Sequence, residues 1–150
     1  MVELVRRFAT SPERAQILEG LLNYRDAHRS IGVNSGYQWI DGSLVEDVET
    51  TRGRPPGDVD LVTVAYRPTS DAAAWRALVI GNSHLFDPAI SKIQFKRDAY
   101  YVDLNIPPHL IVDDTVYYFA LFSHQKATFL WKGVLRIPLI SDDQLARKLL

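Results

Sequence analysis

Three aspartates and one glycine–serine pair are the residues whose types and spacing suggest chemistry. Asp58-Val59-Asp60 opens the run DVDLVTVAY, whose β-branched content predicts a strand over 58–66. On a strand, side chains at i and i+2 leave from the same face, with Cα atoms roughly 6–7 Å apart. Two carboxylates held side by side repel each other, and burial sharpens the repulsion. A divalent cation relieves it, and Mg²⁺ (or Mn²⁺) is commonly held by one or two carboxylates plus substrate phosphates. Asp103 stands in a second alternating run, AYYVDLNI over 99–106, and is the candidate third metal ligand and general base. With the two strands paired, Asp58, Asp60 and Asp103 would converge on one sheet edge, as metal-assisted phosphoryl transfer requires. Taken alone, Asp103 reads equally well as a salt-bridged core carboxylate.

Gly42-Ser43 follows the short aromatic run YQWID. Glycine lets the backbone approach a phosphate closely. A helix starting at Ser43 would turn free N–H groups and its positive end toward that phosphate, with the serine hydroxyl as a further donor. Taken alone, a Gly-Ser dipeptide is usually only a turn. Lys126 and Lys132 are the candidate basic contacts to a triphosphate, with Arg136 beyond them. Arg52 and Arg54 flank a proline loop that could fold over the same site. The four histidines have no zinc-ligand spacing, and no G-x-S-x-G surrounds Ser43, so a serine-hydrolase elbow is excluded.

These residues need elements to hold them. Ser11 and Pro12 predict the cap and first turn of a helix over 11–30, with Ile17, Leu18, Leu21, Leu22 and Tyr24 on one face. Strands are expected at 37–41, 58–66, 99–106 and 129–139, and helices after Ser43, over 71–80, weakly over 113–123, and after Ser141. The stretch 51–57 holds two glycines and two prolines and reads as loop, while 83–98 is ambiguous. Tyr117, Tyr118, Phe119 and Phe122 are expected to pack into the core. The expected fold class is α/β (α+β): one domain over 1–150, with a mixed sheet packed with helices.

Bulk composition sets the limits. The chain is 47% hydrophobic and 23% charged, which fits a folded globular protein. A net charge of −1 gives no electrostatic case for wrapping nucleic acid. Without cysteine there are no disulfides, no thiolate metal ligands and no cysteine nucleophile. No stretch reaches the roughly 20 apolar residues of a membrane span, so a cytoplasmic location with no membrane role is expected.

The order Gly42-Ser43, then Asp58-Val59-Asp60, then a carboxylate on a later strand resembles the polymerase-beta-type nucleotidyltransferase superfamily. The strings GYQWIDGSLVEDVE, GRPPGDVDLVTV, LFSH and WKGVLRIPL are similar to a group of uncharacterised bacterial nucleotidyltransferase-like proteins. The resemblance covers about residues 13–150 and implies a minimal nucleotidyltransferase fold. It further implies metal ligation by Asp58, Asp60 and Asp103, with triphosphate contact by Gly42 and Ser43. The implied activity moves a nucleoside monophosphate from an NTP such as ATP to a hydroxyl or phosphate of a protein, RNA or small-molecule acceptor. The alternative is a non-catalytic regulatory or antitoxin-type binding protein on the same fold, working with a protein partner or a second copy.

Overall fold

Ser11 accepts a hydrogen bond from the backbone N–H of Arg14, and with Pro12 in the first turn this starts helix α2 (Pro12–Ser30). The computed structural model, which describes residues 1–95, 97–126 and 128–150, places Ile17, Leu18, Leu21, Leu22 and Tyr24 in the core, as the helical spacing requires. A shorter helix α1 (Val2–Phe8), absent from the sequence reading, buries Leu4 and Val5 against α2.

Strand β1 (Gly36–Asp41) runs antiparallel to β2 (Val59–Ala65), which pairs in parallel with β3 (Arg97–Asp103). Strand β4 (Leu135–Pro138) is shorter than expected and lies antiparallel on the outer side of β1. The order β3-β2-β1-β4 makes β2 a central strand, which explains its apolar character on both faces. Returning from β2 to a parallel β3 needs a crossover. It consists of α4 (Ala72–Gly81), α5 (Ser83–Phe86) and α6 (Pro88–Phe95), the last two falling in the ambiguous stretch.

Strand alternation divides the core. Ile40, Leu61, Ala99 and Ile137 face α1, α2 and α5, together with Ala146 from α8 (Asp143–Arg147). Val62, Val64, Val102, Tyr37, Trp39 and Tyr100 face the opposite side, where Phe122 and Tyr118 of α7 (Pro108–Phe122) pack on them. Helix α7 begins five residues earlier than expected. The aromatic stretch does not all enter the core: Phe122 is buried, whereas Tyr117 and Phe119 are exposed. The buried Arg25 guanidinium ties α2 to α8 and β4, bonding Asp143 at 2.7 Å, Gln38 at 2.8 Å and the carbonyl oxygen of Pro138 at 2.7 Å. No helix among the described residues is long and apolar enough to cross a membrane.

Candidate metal centre

The register decides which carboxylates meet. Asp60 on β2 lies directly across from Asp41 on β1 and from Asp98 on β3. All three leave from the face that carries Val62 and Tyr100, and Asp58 joins them two residues before Asp60. Asp58, Asp60 and Asp98 each offer an oxygen within 4.8 Å of the others. An octahedral Mg²⁺ sets its ligand oxygens about 3 Å apart when adjacent and about 4 Å when opposite, so a small inward movement closes the cluster on an ion.

Electrostatics point the same way. Burial, and next the neighbouring charges of Asp58, Asp98 and Asp41, push the Asp60 carboxyl up to about 6. Burial also raises Asp41, against the pull of Lys132. Its Oδ1 is buried with no hydrogen-bond partner, an acceptor left over beside the cluster. The site and its rim hold five carboxylates (Asp41, Glu46, Asp58, Asp60, Asp98) against three cations (Lys92, Lys132, Arg52). An all-oxygen donor set with surplus negative charge fits a hard divalent cation.

The Gly42-Ser43 turn leaves β1 at the same edge. Gly42 adopts φ 82°, and a Cβ there would lie 2.8 Å from Asp60 Oδ2 and 2.9 Å from the Asp60 backbone nitrogen. Only glycine satisfies both constraints. The Ser43 hydroxyl donates to the carbonyl of Asp58 at 3.3 Å, joining the turn to the start of β2. The expected helix is only a 3₁₀ turn, Ser43–Val45, before α3 (Val48–Arg52), so the helix-dipole part of the phosphate argument does not hold. Helix α3 also takes Thr51 and Arg52 out of the expected loop. The turn is braced from below: buried Arg14 donates to the carbonyls of Leu44 and Glu46, each at 2.6 Å, and to Glu49.

Asp103 does not join the cluster. It stands across from Ala65, at the far end of the β2–β3 ladder, and five residues from Asp98 places it on the other face. There it forms an ion pair with Arg67 and accepts the N–H of Asn105 at 2.9 Å. Asp98 takes the position expected of Asp103. It lay in the ambiguous stretch, and its available signal was a carboxylate opening an apolar strand, as Asp58 and Asp60 do. Lys132 is at the site, but its ammonium is committed to Asp41 Oδ2 at 2.9 Å and Glu46 Oε1 at 2.8 Å. Lys126 is exposed, and no ion pair ties it to the cluster among the described residues. Arg136 stacks on Tyr37, Arg52 bonds Glu46, and Arg54 bonds the carbonyl of Pro55. The cation that does touch the cluster is Lys92 of α6, which the sequence reading did not single out.

The start of β3 is pinned by Arg97, wholly buried, which donates to the carbonyls of Gly20 and Phe95 and lies over the Tyr24 ring, 4.2 Å from its centroid. Burial pushes its guanidinium down to about 9. With Arg97 fixed on the helical face, strand alternation turns Asp98 to the carboxylate face.

The chain belongs to DUF6932, a family of unknown function whose family model matches residues 1–138. Comparison with curated proteins gave no match, nor did comparison with solved structures.

Proposed function

We propose that this protein is a metal-dependent nucleotidyltransferase that transfers a nucleoside monophosphate from an NTP to an acceptor hydroxyl or phosphate in the cytoplasm, releasing pyrophosphate. The observation that carries the reading is the convergence of Asp58, Asp60 and Asp98 beside the Gly42-Ser43 turn. Mg²⁺ or Mn²⁺ held by those carboxylates would neutralise the triphosphate and fix its geometry. Gly42 lets the turn lie directly against Asp60, where a Cβ would collide with the carboxylate, and so keeps Ser43 beside the cluster. The Ser43 hydroxyl, at 3.3 Å from its present acceptor, can exchange that bond for a phosphate oxygen. Asp98 is the candidate to orient the attacking hydroxyl and take its proton, the role that the sequence alone suggests for Asp103. The acceptor remains a protein, RNA or small molecule.

A second reading, a non-catalytic regulatory protein acting on a protein partner or a second copy, is favoured by one observation. Lys92 already neutralises part of the cluster, as a resident salt bridge would. The test incubates the protein with Mg²⁺ or Mn²⁺, each α-labelled NTP and a cell extract. Wild type and Asp103→Asn should label a component of the extract, macromolecule or small molecule. Asp60→Asn and Asp98→Asn should lose at least about 100-fold in rate, and Ser43→Ala about 10- to 100-fold, the size of one lost hydrogen bond to a charged group. Labelling by wild type no greater than by Asp60→Asn would remove the enzyme reading and leave the regulatory one.

A further inference from the structure

Lys92 reaches the cluster from α6, with its ammonium 2.9 Å from Asp58 Oδ2 and 2.8 Å from Asp98 Oδ2. It bridges two of the three residues that would hold a cation, while no ion pair reaches Asp60 among the described residues. Packing does not hold the lysine there. Its side chain is 51% exposed, Ile93 beside it is 87% exposed, and Ser91 is the residue α6 buries fully. Its position is therefore set by charge, on a flexible four-carbon stem that can swing into water.

We propose that Lys92 is a displaceable counter-cation that holds Asp58 and Asp98 together until a divalent ion, arriving with a nucleoside triphosphate, expels it. The inference rests on the metal-dependent reading above. A divalent ion carries twice the charge of an ammonium and can take an oxygen from each of the three carboxylates, whereas Lys92 satisfies two of them. A bare ion must still pay for breaking both ion pairs. An ion that arrives with a triphosphate gives the freed ammonium a new anionic partner within reach of the same helix. Lys92 thereby couples metal and nucleotide binding, and such coupling is reciprocal: each ligand strengthens the other by the same factor.

The test measures Mn²⁺ binding by calorimetry and by the spin-resonance signal of free Mn²⁺, using the full chain, alone and with a non-hydrolysable ATP analogue. Lys92→Met should bind Mn²⁺ alone about 10-fold more tightly than wild type, the combined size of two partly exposed ion pairs. The strengthening of Mn²⁺ binding by the analogue should shrink, and Lys92→Arg should keep the wild-type pattern. In the wild type, Mn²⁺ with the analogue should change the labelling of Lys92 by an amine-reactive reagent read by mass spectrometry, because its carboxylate partners are exchanged, which tests the displacement whether or not the variant folds well. Unchanged labelling, or a Lys92→Met affinity equal to or weaker than wild type while Asp60→Asn abolishes binding, overturns the displacement and leaves the metal site standing. A merely structural bridge gives that result together with a lowered melting temperature. No Mn²⁺ binding by any of these proteins overturns the metal reading and this inference together.

Discussion

The β2–β3 pair carries aspartates at both ends, and the two ends are built in opposite ways. At the amino-terminal end, Asp58, Asp60 and Asp98 crowd one face within 4.8 Å, and Lys92 touches two of them. At the carboxyl-terminal end, Asp103 meets Arg67 one to one on the other face and takes a backbone N–H as well. Asp103 is satisfied where it stands, while the first group holds more negative charge than its partners neutralise. Parallel pairing is the cause. It brings the starts of both strands together, so carboxylates that open each strand must meet, while one that closes β3 meets the close of β2. What marks a candidate site is therefore the charge surplus, and an aspartate in an apolar strand is not enough.

Exchanging carboxylates for amides should break the symmetry between the ends most strongly. Asp98→Asn is expected to weaken Mn²⁺ binding about 100-fold, because it removes a charged ligand, whereas Asp103→Asn should change it less than about 2-fold. Calorimetric titration of both variants decides it. Equal losses would return Asp103 to the site.

Acidity should sharpen the comparison next. The Asp60 carboxyl titrates near 6, so below that pH a proton competes with the metal. Mn²⁺ affinity should rise about 10-fold per pH unit as pH climbs toward 6, then level off above about 7. Asp103→Asn should follow the same curve. A flat profile between pH 5 and 7 would mean that Asp60 is not a ligand.

The smallest effect is on stability without metal. Asp60 has its folded pKa raised above 3.8, so the folded state binds more protons than the unfolded one between about pH 4 and 6. Stability is therefore lost as pH rises through that window and stays lower above it. Asp60→Asn removes the penalty and should raise the melting temperature at pH 7 by about 3 °C, the shift that roughly 1 kcal/mol gives in a chain of this size. Asp103→Asn breaks a partly buried ion pair and should lower it by a similar amount or less. Calorimetric scans with a chelator present would measure both, and a lower melting temperature for Asp60→Asn would show a structural carboxylate in its place.

Much of the frame was legible because it is local. Ser11 and Pro12 announce α2, strand alternation puts Asp58 and Asp60 on one face, and Gly42 marks a backbone that a side chain would obstruct. The third carboxylate was not legible. Helices α5 and α6 are only four and eight residues long, too short for a clear period, so the start of β3 after them, and Asp98 with it, was not marked off. Lys92 is six residues from Asp98, a spacing that no single helix or strand brings together. The packing of α6 beside the start of β3 makes that contact, and neither residue's neighbours foretell it.

By itself, then, the sequence determined the residue types, the alternation of each strand and the turn that only glycine can take, since these depend on neighbours a few positions apart. Only the tertiary structure decided which aspartate completes the cluster and which cation answers it. Register between β2 and β3 is a contact across more than thirty residues. A strand's own alternation allows either face until that register is set, because a shift by one residue exchanges the two faces completely.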